Sequence, residues 1–248
     1  MKEKEKLKNN SLLNLYFSYL FQKGTIIVIG LCLLFTFGFI FLCTNPQASN
    51  DEYLEASNEF HKIYFSQSLL IIMIQNSIII SSFVLQLTIF SSGFDCLFLS
   101  HVSRRKICCF KLLCISISLL ILCIIEALMI ISIGILRFPL LKLTYIHFVN
   151  FWYIYVGMIF EAMLSIFLIT LIPVILTPLS VVLLSIVVKI LCNNMENLVE
   201  KLSLVIPIIE LDSKSLVYTA NNILLSILWI FLLGILYISV YNVKDLKI

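Results

Sequence analysis

Residues 104–136 read RRKICCFKLLCISISLLILCIIEALMIISIGIL, a basic triplet followed by an apolar run in which Lys111 and Glu126 are the charged positions. The apolar part, 107–136, exceeds the roughly 18 to 20 residues that an α-helix needs to cross a bilayer. Because Lys and Arg are poorly translocated, the triplet marks the cytoplasmic end of this helix. The stretch therefore predicts a transmembrane helix that begins on the inner side of a membrane.

Five further apolar stretches flank this one, and each is long enough to span a bilayer. They cover residues 25–43, 66–90, 148–171, 174–192 and 223–241. The composition agrees, because 61% of the 248 residues are hydrophobic and 12% are charged, too little polar surface for a water-soluble domain. The sequence predicts an all-α polytopic membrane protein with six transmembrane helices in a single domain, 1–248.

The distribution of basic residues predicts the orientation of the chain. With the N-terminus inside, eleven of the 17 lysines and arginines fall on the inner side and six on the outer side. Acidic residues collect in the loops between spans one and two and between spans five and six. By the positive-inside rule, we expect both termini in the cytoplasm and a multi-pass protein of the cell membrane.

Two segments outside the spans are amphipathic. Residues 11–23 form an apolar helix with one narrow polar stripe, which is suited to the inner membrane interface, although an inward extension of span one fits the pattern as well. The stripe consists of Ser11, Asn14, Ser18 and Gln22. Residues 193–222, before the last span, carry apolar side chains at helical intervals around Pro207. They predict a re-entrant or amphipathic outer segment.

Several polar residues lie inside the predicted spans. Buried amides and hydroxyls must find partners in hydrocarbon, and an ionised carboxylate at mid-span is costly. The candidates are Ser68, Gln75, Ser82 and Gln86 along one face of span two, Glu126 in span three and Glu161 in span four. Each can hold helices together or line a pathway. The two glutamates either face a hydrated interior or stay protonated as hydrogen-bond donors.

Motifs for chemistry on this chain are absent from the sequence. It contains no G-x-x-x-x-G-K-[ST], no H-E-x-x-H and no G-x-S-x-G, and its three histidines lie far apart. The eight cysteines form no C-x-x-C pair and fit a role as small packing residues. We therefore expect no catalytic activity, no metal site, no cofactor and no nucleic-acid partner for the chain itself.

The segment between spans two and three has a helical apolar face followed by a basic end. Phe94, Leu97 and Phe98 form the face, Ser103 stands where it can cap the next helix, and the basic triplet follows. By itself this pattern predicts an inner loop with a short helix.

Two local patterns resemble the permease subunit of a type-2 ATP-binding-cassette (ABC) exporter. From Asp95 to Lys111, an acidic residue is followed by Leu-x-Leu-Ser-x-x-Ser-Arg, an isoleucine and a lysine, which is similar to the coupling region of that family. Tyr241-Asn-Val-Lys-Asp-Leu is similar to the family's common ending. The six spans, the helix at 11–23 and the outer segment before the last span extend the resemblance over nearly the whole chain.

The resemblance implies that two permease subunits, identical or different, pair in the bilayer and bind two cytoplasmic ATPases that supply ATP and Mg²⁺. Spans one, two and five then flank the pathway, and the coupling segment transmits the ATPase motion. The implied coupling residues are Phe94, Asp95, Leu97, Phe98, Ser103, Arg104 and Arg105. The implied function is export of an amphipathic or hydrophobic cargo such as a peptide, an antimicrobial or a lipid-like molecule, in a bacterial setting of export or self-immunity.

Two other function classes fit the same residues. One is a secondary transporter or channel that uses Glu126 and Glu161, and the other is a membrane scaffold or sensor without transport. A P-loop ATPase encoded in an adjacent reading frame would distinguish the ABC permease from both.

Overall fold

The computed structural model describes the chain in separate stretches. They are residues 12–43, 71–72, 75–91, 95, 102–137, 145–172, 176–178, 180–181, 183–184, 187 and 220–243. Throughout these stretches the secondary structure is helical, with short turns and no strand. The helices are α1 (12–20), α2 (Lys23–Cys43), α3 (Gln75–Phe90), α4 (Arg104–Arg137), α5 (Tyr145–Leu171) and α6 (Ala220–Val243).

Four of these helices, α2, α4, α5 and α6, are long and apolar enough to cross a membrane. Each begins two or three residues before the span that the sequence predicted, which confirms the all-helical class and a membrane protein. α3 covers residues 75–90 of predicted span two, and residues 71–72 before it are helical as well. Residues 193–219 and most of predicted span five lie outside the described residues, so six spans remain a prediction.

The outer surfaces of α2 and α6 are apolar. Phe35 on α2 is 72% exposed and Phe231 on α6 is 69% exposed, and leucines and isoleucines surround both. Helices with this much apolar surface are stable only where hydrocarbon or another apolar surface covers them. These faces are therefore suited to the lipid core.

The interior of the bundle forms along the opposite faces. α5 packs along α6 and against α4, and α4 also contacts α2 and α6. On α3, Ile79, Phe83 and Leu87 recur every four residues and are fully buried, because residues four apart lie on one face of a helix. The last turn of α3, Gln86–Phe90, is a π-helix, in which the Ser91 N–H donates to the Gln86 carbonyl at 3.1 Å.

α1 joins this core through one face. Leu12, Tyr16 and Leu20 are fully buried at intervals of four residues, whereas Asn14 and Ser18 of the predicted polar stripe are exposed. The helical pattern breaks at residues 21–22, before α2 begins at Lys23. α1 is therefore a separate helix, and its position at the membrane interface remains a prediction.

Candidate functional site

A buried aspartate and a buried lysine form an ion pair where α4 begins. Asp95 lies one helical turn beyond α3, with its N–H donating to the Ser91 carbonyl at 3.1 Å. Asp95 is 1% exposed and Lys111 is 2% exposed, and the Lys111 Nζ pairs with the Asp95 Oδ2. Two opposite charges that are buried in contact avoid the large penalty of an isolated buried charge.

Two tyrosine hydroxyls complete this group, which we call the aspartate cluster (Tyr16, Asp95, Lys111 and Tyr241). The Tyr16 hydroxyl donates to the Asp95 Oδ1 at 2.8 Å, and the Tyr241 hydroxyl donates to Oδ2 at 3.0 Å. The Lys111 Nζ lies 5.6 Å from the Tyr16 ring centroid and 5.8 Å from that of Tyr241, within cation–π range. The Asp95 carboxylate therefore has two hydroxyl donors in addition to Lys111, and the Lys111 ammonium has two aromatic rings in addition to Asp95.

The charge state of Tyr16 suits its role as a donor. Burial, reinforced by the negative charge of Asp95 and by the hydrogen bond to it, raises the pKa of Tyr16 far above its ordinary value. The Tyr16 hydroxyl therefore keeps its proton at physiological pH and can donate it to Asp95.

The aspartate cluster joins four parts of the chain because each part turns its buried face toward the same point. Tyr16 lies on the buried face of α1, and Lys111 follows the buried Ile107 by one turn of α4. Tyr241 lies in the last turn of α6, one turn after Tyr237, and their ring centroids are 5.8 Å apart. Asp95 is thus bound to the N-terminal helix α1, to α4 and to the last helix α6.

Arg104 makes a second connection at the same end of the bundle. Its Nη1 donates to the carbonyl oxygen of Asn242 at 3.0 Å. The last carbonyls of an α-helix have no partner within the helix, and basic side chains commonly bind them. The start of α4 is therefore bound to the end of α6.

The structure places the predicted coupling residues in different environments. Asp95 is enclosed in the aspartate cluster, Arg105 is exposed, and Ser103 precedes α4 with its carbonyl accepting from the Ile107 N–H at 3.2 Å. Phe94, Leu97 and Phe98 lie outside the described residues. Asp95 itself is thus held inside the fold, and Arg105 is exposed where a partner can reach it.

A second buried polar group lies inside the spans, and we call it the glutamate cluster (Thr36, Gln75, Asn76 and Glu126). The Gln75 Nε2 donates to the Glu126 Oε1 at 3.1 Å, and the Asn76 Nδ2 donates to Oε2 at 3.0 Å. The Thr36 hydroxyl donates to the Gln75 Oε1, which orients that amide. The Asn76 Nδ2 also lies 3.3 Å from the Met158 Sδ.

The glutamate cluster brings four helices together through polar contacts, because its members come from α2, α3 and α4 and Met158 belongs to α5. In hydrocarbon, buried polar groups satisfy one another across helices. Gln75 and Glu126 were candidates from the sequence, and the structure joins them. Asn76 was missed, although two adjacent amides in an apolar run are a signal, and nothing in the sequence indicated Thr36.

The remaining intramembrane candidates lie elsewhere. Ser82 and Gln86 are partly buried on α3, and Ser68 falls outside the described residues. Glu161 is buried on α5, one turn after Met158. Within the part of the chain that is described, no three His, Cys, Asp or Glu side chains converge as metal ligands, and Cys32, Cys108, Cys109, Cys114 and Cys123 are free thiols.

The sequence matches no protein-family model and no curated protein. The function is therefore argued from the two clusters and from the sequence patterns that they contain.

Proposed function

We propose that the chain is the permease subunit of an ATP-driven ABC exporter. It lies in the cell membrane with both termini in the cytoplasm, pairs with a second permease subunit and works with two cytoplasmic ATPases. ATP and Mg²⁺ belong to those ATPases, and the permease performs no hydrolysis. The cargo is an amphipathic or hydrophobic molecule, such as a peptide, an antimicrobial or a lipid-like compound.

The observation that carries the proposal is the contact between the two segments that resemble this family. Asp95 and Lys111 bound the first segment, and Tyr241 begins the second. They meet in the aspartate cluster, and Arg104 reaches the neighbouring Asn242. Residues of two segments that are far apart in sequence are therefore in contact in the folded protein. Such contact is expected if the two segments act together.

A permease driven by a separate ATPase needs such a unit for a mechanical reason. The ATPase moves only the cytoplasmic loop that it contacts, so that loop must be fastened to the spans. In a low-dielectric interior, separating the partners of a buried, hydrogen-bonded ion pair is costly, so the residues that carry the two charges move together. In the aspartate cluster, Asp95 of the predicted coupling segment is bound to α1, α4 and α6 in this way.

The proposed cargo follows from the charge content of spans one, two and five, which the resemblance places along the pathway. Spans one and two, residues 25–43 and 66–90, contain no charged side chain, and span five, residues 174–192, contains one, Lys189. Their other polar groups are amides and hydroxyls such as Gln75 and Thr36. A surface of this kind favours a molecule with a large apolar part and a few hydrogen-bonding groups over a strongly charged solute.

Co-expression with a P-loop ATPase encoded beside the gene tests the proposal. We expect the two proteins to co-purify and to transport cargo in ATP-loaded vesicles. Aromatic anchors at interfaces commonly contribute about 2 kcal/mol or more. Phe98→Ala should therefore weaken ATPase binding or uncouple hydrolysis from transport while the chain still inserts.

Phe231→Ala is the matched control, since it removes the same side chain from an exposed position on α6. This variant should bind the ATPase and transport like the parent. A Phe98→Ala protein that binds and transports normally would show that the loop is only a connector.

A secondary transporter or channel is the second candidate, and the glutamate cluster favours it because a carboxylate lies buried among the spans. Transport that continues in ATP-free vesicles under a proton or sodium gradient would support this candidate and remove the exporter.

A further inference from the structure

The two buried carboxylates of this protein are compensated in different ways. Asp95 has a cation, Lys111, in contact, together with two tyrosine hydroxyls. Glu126 is as deeply buried, at 1% exposure, yet its partners among the described residues are the neutral amides of Gln75 and Asn76. Amide donors stabilise a carboxylate, but they do not cancel its charge.

The glutamate cluster also holds an acceptor that has no donor. The Asn76 Oδ1 is buried and makes no hydrogen bond to any described group, while the Nδ2 of the same amide binds Glu126. Asn76 is 1% exposed, so bulk water does not compensate that oxygen. A buried carbonyl oxygen without a protein donor has lone pairs to which a water, an ion or another donor can bind.

The Glu126 carboxylate has room for a further partner as well. A carboxylate offers about four acceptor positions on its two oxygens. The Gln75 and Asn76 amides fill one position on each oxygen. When Glu126 is ionised, the cluster thus combines a negative charge that lacks a cation among the described residues, spare lone pairs and the oxygen of the neighbouring Asn76 amide, and each of these attracts a positive charge.

We propose that the glutamate cluster binds one small cation, with Glu126 as the charged ligand and the Asn76 amide oxygen as a second acceptor. The occupant is a proton or an alkali-metal ion, because hard cations of this kind prefer oxygen ligands. Binding neutralises the carboxylate inside the membrane. The site does not depend on whether an ATPase drives the protein.

Few other titratable groups lie near Glu126 among the described residues, and they determine which variant serves as the control. From α2 and α3 the cluster receives Thr36, Gln75 and Asn76, none of which titrates. On α4 itself, Cys123 lies one turn before Glu126. On α5, Glu161 follows Met158 by one turn and is the titratable group to be controlled for. Substitution at Glu161 therefore serves as the matched control.

The test uses the purified full-length chain in lipid nanodiscs and measures Tm. A ligand that binds only the folded state raises Tm with its concentration. One series varies pH at constant salt, and a second replaces choline chloride by NaCl at constant ionic strength and pH. We expect the parent Tm to rise as pH falls or as Na⁺ replaces choline.

Glu126→Gln should remove that response, because glutamine keeps the shape and loses the charge, whereas Glu161→Gln should retain it. A response to pH alone identifies the proton, and a response to Na⁺ identifies the metal ion. If the parent Tm responds neither to pH nor to Na⁺, or if Glu126→Gln responds like the parent, the site is refuted.

A second variant keeps the test decisive if Glu126→Gln does not fold. Asn76→Ala removes the amide oxygen together with the Nδ2 donor to Glu126. Because loss of the donor alone would strengthen cation binding, loss of a ligand oxygen should appear as a Na⁺ midpoint at higher concentration or a pH midpoint at lower pH. An Asn76→Ala protein with the parent's midpoints would exclude the amide oxygen as a ligand and overturn the proposal.

Discussion

Lys111→Met should destabilise the protein more than any conservative change on its outer surface. Methionine keeps much of the length and apolar volume of lysine but removes Nζ, so Asp95 stays buried without its cation. Removing one partner of a buried pair costs about 3–5 kcal/mol. The hydroxyls of Tyr16 and Tyr241 still donate to Asp95. We therefore expect the lower end of the range, about 3 kcal/mol.

Removing both charges should cost much less than the sum of the single changes. In the double variant Asp95→Asn with Lys111→Met, no uncompensated charge remains, and the asparagine oxygen still accepts a hydrogen bond from Tyr16. Matched apolar or neutral replacements of a buried pair are close to neutral, so the double variant should lose about 1 kcal/mol. A double-mutant cycle should then give a coupling energy of about 2 kcal/mol or more.

Unfolding in mixed micelles with increasing SDS measures these free energies. The signal is the fluorescence of the two tryptophans, Trp152 on α5 and Trp229 on α6. The control is Phe231→Leu on the exposed face of α6, which should stay near the parent value. A Lys111→Met protein within about 1 kcal/mol of the parent, or a cycle with no coupling, would refute the ion pair as a stabilising link.

Three further outcomes follow from the residues described. Tyr16→Phe keeps the ring near Lys111 but loses the hydrogen bond to Asp95, so the free energy of unfolding should fall by about 2 kcal/mol in the same assay; an unchanged value would exclude that bond. In a cysteine-depleted chain, Asn50→Cys and Asn58→Cys should react with an impermeant maleimide added to intact cells, and labelling only after permeabilisation would reverse the topology. The purified chain should hydrolyse no ATP, and turnover that survives stringent purification would remove the permease proposal.

Much of the helical framework was predictable because it depends on local properties. A run of apolar residues of sufficient length forms a helix in a membrane whatever its neighbours are, since every backbone polar group must be satisfied within the segment. The predicted stretch 107–136 therefore agrees closely with Arg104–Arg137, and 223–241 with Ala220–Val243. α3 ends at Phe90, where predicted span two also ends, and residues 66–70 at the start of that span lie outside the described residues.

The candidate residues were less predictable than the helices that carry them. Glu126 and Gln75 stood out because polar groups are costly in hydrocarbon, yet the sequence left both packing and pathway roles open. Asp95 and Arg105 looked alike as members of one coupling segment, whereas the structure buries the first and exposes the second. Burial depends on which helix faces meet, and residue type alone does not report it.

The sequence by itself determined that this is a helical membrane protein, because hydrophobicity and span length are properties of single segments. Only the tertiary structure decided which polar groups meet. Tyr16 and Tyr241 reach Asp95 across 79 and 146 residues of chain. Any buried charge needs a compensating partner, but which residue becomes that partner depends on how the helices pack. In the folded protein Asp95 pairs with a lysine, whereas Glu126 accepts hydrogen bonds from two amides.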